Sequence, residues 1–317
     1  PDPYNSAHRR YTYALIGNAY LRTIYSEVFG IEEEALLATG MPRLDHFLDK
    51  DTATEDRKEM LELHPWADKG RVIVFAPTFR GTGQRTAYYP YDVFDMDRLY
   101  RMCEETNSYF VFEMHHFIKR RPTIPEEYSD RIFDLSDESL TKLFFIADVL
   151  VTDYSSCFYD FLLLKKPVVF FVPDKTSYSL IRGVQRTVDE MAPGAICNDF
   201  DEFMDVLGNY KYQAVEPHPS SIDRAIEHSG LASDRAIDTI IYDKDVPGHR
   251  GTPKNLPTNG TASSRRTHAT APALARFGKR TRAGAIVFST NTGISNAAYN
   301  AKAVTVAVAI LSSVTGQ

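Results

Sequence analysis

The residues best suited to chemistry are hydroxyls, two histidines and a few arginines, each just after a short apolar run. Thr152-Asp153-Tyr154-Ser155-Ser156 follows Val149-Leu150-Val151 and leads into a helical pattern from about Ser156 to Leu164. A turn from buried strand into helix offers free backbone N–H groups and the positive end of a helix dipole. With the Ser155 and Ser156 hydroxyls, it fits a phosphate or diphosphate. It fits a plain helix cap equally well, with Asp153 or Ser155 as N-cap and Asp160 on the helix surface. His115 and His116 follow the run ending at Met114 and sit beside Lys119, Arg120 and Arg121. An imidazole there can donate to a phosphate oxygen or move a proton. The alternative is two exposed histidines on a solvated basic patch. Arg80 and the pair Arg182-Gly183 also follow apolar runs. A guanidinium clamps phosphate with two donors and glycine admits a close backbone, but surface ion pairs are commoner uses of arginine.

Two other features carry less. Asp95-Met96-Asp97 has the spacing of a metal-binding acid pair, but it falls in a predicted helix, where neighbouring carboxylates diverge. His64-Pro65 precedes the first strand, on the wrong side for a site. No Gly-x-Gly-x-x-Gly and no phosphate-loop signature occurs, which removes support for dinucleotide and nucleoside-triphosphatase readings.

The elements that position these residues alternate. Val72–Ala76, Tyr109–Met114, Ile132–Leu135, Val149–Val151 and Val168–Val172 read as strands. Helices are predicted over about Val93–Glu105, from an Asp137 cap through Ile146, over Ser156–Leu164 and over Asp201–Leu207. Strands apolar on both sides, separated by helices, predict an α/β fold: a doubly wound, parallel, Rossmann-like sheet over residues 68–212. Ligands bind at the carboxyl ends of such strands, so the loops that matter are 77–89, 114–128, 152–156 and 173–186.

Outside this domain, residues 1–67 read as the remnant of a second unit, with a strand in Tyr11–Gly17 and a helix over Asn18–Phe29. Residues 213–243 read as a helical return through Ile237, Ile240 and Ile241. The net charge of −6 hides a break. From Lys244 onward lie ten of the 36 basic residues and one of the 42 acidic ones, a net of +9 that leaves −15 for residues 1–243. Only Phe277, Phe288 and Tyr299 are aromatic there, so 244–317 is expected to be a basic, low-complexity, mostly disordered tail. An acidic main body argues against a nucleic-acid partner. Three cysteines, Cys103, Cys157 and Cys197, without paired spacing fit a reducing, cytosolic setting. No apolar run is long enough to span a membrane.

Read together, these segments resemble the CDP-glycerol glycerophosphotransferase family, the teichoic acid polymerases and primases. Phe29-Gly30-Ile31 with Thr39-Gly40-Met41-Pro42-Arg43-Leu44-Asp45 is similar to its "GI…TGyPRnD" entry. Val74–Arg80, containing Thr78, is similar to "YAPTwR", and Glu113-Met114-His115 to "hHP". Ala147–Ser156 with Phe158-Tyr159-Asp160 is similar to "aDvLiTDYSSvffD". Lys166–Phe171, Asp174, Tyr178, Arg182-Gly183 and Ala192-Pro193-Gly194 follow the same template, and the ordered set covers about residues 10–240.

The resemblance implies a GT-B architecture and transfer of glycerol phosphate, or ribitol phosphate, from a CDP-polyol to a lipid-linked acceptor with release of CMP. It implies His115 as the donor-side catalytic histidine. Thr78, Arg80, Thr152, Asp153, Tyr154, Ser155, Ser156, Asp160, Asp174, Arg182 and Gly183 would form the donor site. No metal or cofactor is implied. The setting would be cytoplasmic, peripheral on the membrane. Three departures stand out. The family's "WHGTP" histidine segment is absent and is expected upstream of residue 1, His116 replaces the proline after His115, and the tail has no counterpart. Two other readings remain: a GT-B glycosyltransferase using a nucleotide sugar, and a catalytically incomplete nucleotide-binding module.

Overall fold

The computed structural model describes residues 4, 8, 11–182, 187–214, 231–242 and 309–310. Gly183 and, apart from 309–310, the tail 244–317 lie outside the described residues. The chain forms two compact units. One runs to Met41 and resumes at Ser233; the other runs from Pro42 to Ala232.

The smaller unit contains strand β1 (Ala14–Leu15), helix α1 (Arg22–Phe29) and strand β2 (Leu36–Leu37). Gly30 ends α1 at a φ of 64°, the left-handed conformation that glycine adopts without strain. In the larger unit follow α2 (Asp45–Leu48), α3 (Lys50–Leu63), β3 (Arg71–Phe75), α4 (Met96–Glu105), β4 (Ser108–Phe112) and β5 (Ile132–Asp134). Then come α5 (Leu140–Ile146), β6 (Val149–Thr152), α6 (Cys157–Leu162), β7 (Val168–Phe171), α7 (Lys175–Arg182), α8 (Val188–Met191), β8 (Ala195–Cys197) and α9 (Phe200–Gly208). Helix α10 (Ala232–Tyr242) and β9 (Ala309–Ile310) close the series. In the smaller unit β2, β1 and β9 form a parallel sheet, and Ala236 of α10 packs on Leu15 and Leu37.

The larger unit is a six-stranded parallel sheet in the order β5-β4-β3-β6-β7-β8. Chain direction across the sheet reverses between β3 and β6, and the crevice there opens at their carboxyl ends. One face buries Phe75, Phe110, Phe112, Phe171 and Phe203, all essentially inaccessible. Each such phenylalanine contributes about 1.5–3 kcal/mol through burial. The opposite face is covered by α5 and α6, where Phe158 meets Phe170 and Phe161 meets Phe144 edge-on.

Several details differ from the sequence expectation. The units part at Met41–Pro42 rather than at 67–68, because α3 is tied to α5 by Lys142, which pairs with Glu59 at 2.6 Å and Asp56 at 3.6 Å. A sixth strand, β8, joins the five predicted. Asp95 lies outside α4 as its N-cap, its carboxylate accepting the Arg98 N–H at 3.1 Å. Asp137 does not cap α5; Ser139 stands there, and Asp137 pairs with Arg121.

Candidate functional site at the switch point

Asp153 organises the carboxyl edge of the sheet. It follows β6, is fully buried, and turns its carboxylate back toward β3. One oxygen accepts the backbone N–H of Thr78 at 2.7 Å and the other accepts Arg80 Nη1 at 2.8 Å. Arg80 Nη1 also donates to the Thr78 carbonyl at 2.6 Å. On its other edge Arg80 makes two bonds to Asp174, from Nε at 2.5 Å and from Nη2 at 3.0 Å. The loops after β3, β6 and β7 are thereby locked together. Burial works against the Arg80 charge, but Asp153 and Asp174 outweigh it and hold its pKa above the ordinary value.

Three tyrosines enclose the guanidinium. Its carbon lies 4.9 Å from the Tyr178 ring, 5.2 Å from Tyr89 and 5.3 Å from Tyr154. Tyr154 and Tyr178 stack at 3.7 Å. Burial, then the nearby Asp153, pushes the Tyr89 hydroxyl well up, and burial followed by Asp174 does the same to Tyr154. Both of these hydroxyls stay neutral.

This assigns the sequence candidates to different tasks. Arg80 orders the site, its guanidinium committed to carboxylates. Thr152 is buried and its hydroxyl donates to the Ala76 carbonyl at 2.7 Å, pinning β6 to β3. Asp160 accepts Arg43 Nη2 at 2.8 Å, so α6 is anchored to the segment containing Pro42-Arg43. Burial raises the Asp160 pKa and Arg43 opposes that rise. Arg182 is the last residue of α7.

The residues that face outward are Ser155, Ser156 and His115. Both serines are partly exposed. Ser155 Oγ accepts the Cys157 N–H at 3.4 Å, which leaves its hydroxyl proton to donate. Ser156 is the N-cap of α6 without a side-chain cap bond. His115 lies against Phe79 and Phe117 and stacks on His116 at 4.3 Å. Its Nδ1 accepts the Phe117 N–H at 3.2 Å, which assigns the ring proton to Nε2. Burial, helped by the neighbouring His116, lowers its pKa to about 4. His115 is therefore a neutral N–H donor at physiological pH.

Tyr89 and Glu113 belong to this edge although neither was a sequence candidate. Tyr89 is brought in by the antiparallel bridge between Arg80 and Tyr88, which no periodicity announces. Among the described residues no group of three or more His, Cys, Asp or Glu could hold a metal ion. None of their helices is long and apolar enough to cross a membrane.

Comparison with known proteins identifies the family. Residues 3–240 match the family described as CDP-glycerol:poly(glycerophosphate) glycerophosphotransferase. The teichoic acid poly(ribitol-phosphate) polymerase of Bacillus spizizenii is 34% identical over 251 residues, 77% of this chain and 40% of that protein. The ribitol-phosphate polymerase TarK of Staphylococcus aureus is 37% identical over 236 residues, 74% of this chain and 46% of that one. The chain thus spans less than half the length of these two relatives. The solved structure of a variant of the wall teichoic acid polymerase TagF soaked with CDPG superposes with a TM-score of 0.61 at 28% identity, covering 75% of this chain and 58% of that one. The α/β fold is GT-B-like, as in that polymerase.

Proposed function

Because the chain belongs to the CDP-glycerol:poly(glycerophosphate) glycerophosphotransferase family, we propose that it is the donor-binding part of a teichoic acid polyol-phosphate transferase. The observation that carries this reading is the Asp153–Arg80–Asp174 lock, which fixes three loops at the switch point and leaves Ser155, Ser156 and His115 presented. In the proposed complex the hydroxyls of Ser155 and Ser156 donate to the diphosphate of a CDP-polyol. His115 Nε2–H donates to an oxygen of the phosphate that carries the polyol. An acceptor hydroxyl attacks that phosphorus, the bond to the bridging oxygen breaks, and CMP leaves. Fixed donors aimed at the phosphate oxygens lower the barrier by stabilising charge that grows in the transition state. A neutral His115 suits this donor role better than that of the base that takes the acceptor proton.

The acceptor is taken to be a lipid-linked polyol phosphate, which would bring the enzyme to the cytoplasmic face of the membrane. Independence from metal, release of CMP and this location belong to the proposal. Two names among the relatives support ribitol as the polyol, and the CDPG-soaked structure supports glycerol. Titration calorimetry with CDP-ribitol, CDP-glycerol and a UDP-sugar tests the reading. Binding of a CDP-polyol in preference to the UDP-sugar supports it; preference for the UDP-sugar would point to a nucleotide-sugar glycosyltransferase. A second reading is a nucleotide-binding module without turnover. It predicts binding without CMP release.

A further inference from the structure

Arg43 and Asp160 form an ion pair beside the serines that follow β6. Arg43 Nη2 donates to Asp160 Oδ1 at 2.8 Å, and the two side chains are 30% and 17% exposed. Most of the pair's hydrogen-bonding capacity is unspent. A guanidinium carries five N–H donors, and a carboxylate accepts at both oxygens. Among the described residues Arg43 makes this one side-chain bond, its Nε is enclosed with no partner, and Asp160 Oδ2 accepts nothing. Buried polar groups are normally paired, so unspent donors beside an unspent acceptor suit a ligand that offers both functions. Asp160 stands four residues after Ser156, the N-cap of α6, which puts it on the same face about 6 Å along the axis. Helical side chains lean toward the N-terminus. The Asp160 carboxylate, and the guanidinium it holds, therefore lie over the turn that starts at Ser156.

We propose that the Arg43–Asp160 pair binds the polyol of the donor, the guanidinium donating to one hydroxyl oxygen and Asp160 Oδ2 accepting the proton of the neighbouring hydroxyl. This rests on the donor-site reading above. With the diphosphate on Ser155 and Ser156, a polyol esterified to its outer phosphate runs along α6 over the turn between Ser156 and Asp160. Neighbouring hydroxyls need a donor and an acceptor close together, and the pair supplies both. A phosphate in the same place would meet the like charge of the Asp160 carboxylate, whereas an uncharged polyol meets no such repulsion. Arg80 also pairs with carboxylates, but Asp153 and Asp174 engage all three of its nitrogens, so it has no comparable capacity. The pair thus sets the preference for the polyol, apart from the affinity for the diphosphate.

The test is calorimetry of CDP-glycerol against the propyl ester of CDP, which has the same charge and chain length without the two hydroxyls. It is run on the wild type and on the double variant Arg43→Met with Asp160→Leu, which strands neither charge. The wild type should prefer CDP-glycerol about ten- to a hundredfold, the worth of a hydrogen bond to a charged group. The double variant should bind the two esters within about twofold of each other. That ratio does not depend on how much of the variant is folded. Equal binding of the two esters by the wild type, or a preference that survives in the double variant, would overturn the polyol site and leave the donor-site reading standing. So would loss of both esters in the double variant, since the pair would then support the whole site. Binding of neither ester by the wild type would overturn both.

Discussion

Arg80 Nη1 and Asp153 Oδ2 meet at 2.8 Å across the switch point, and neither side chain is more than 7% exposed. Removing one partner of a buried ion pair strands the other without water. Arg80→Met should therefore cost about 3–5 kcal/mol of folding stability, read from denaturant melts. Arg80→Lys should also be strongly destabilised, because an ammonium cannot meet Asp174 through two donors while reaching Asp153. A loss near zero in both variants would show that the lock does not hold the loops.

His115 is neutral with its proton on Nε2, so CDP-polyol affinity should not change as pH falls from 7.5 to 5.5. Protonation waits until about pH 4. His115→Ala should weaken binding about ten- to a hundredfold by removing one donor to a phosphate. An affinity that rises as pH drops through 6.5 would mean that the cationic imidazole binds instead.

Gly194 precedes β8, and a Cβ there would lie 1.8 Å from the Val168 carbonyl oxygen. That contact is with backbone of β7 and cannot be relieved by a rotamer change. Gly194→Ala should cost about 1–3 kcal/mol in thermal or denaturant unfolding.

The central strands were legible because their apolar runs are continuous and end in turn residues. β8 was not, since Ala195–Cys197 is three residues long and only Cys197 is buried. α3 was hidden by its composition: it buries only Asp56 and Met60 along 14 residues, so no apolar stripe marks it. In the site, the hydroxyl and histidine candidates could be read from their place after strand ends. Their division of labour could not. Whether Arg80 meets a phosphate or a carboxylate depends on Asp153 folding back from a strand more than seventy residues away. Tyr89 and Glu113 carry no local signal, because each gains its place through a neighbouring strand or hairpin.

In the proposed complex the segment after β6 holds the donor phosphates. Calorimetry of CDP-glycerol and CDP-ribitol should be run on the wild type and on the double variant Ser155→Ala with Ser156→Ala. The predicted result is saturable one-site binding by the wild type, weakened at least about tenfold in the double variant, with unchanged thermal stability. Equal affinity in the two proteins would contradict the assignment of the donor phosphates to Ser155 and Ser156.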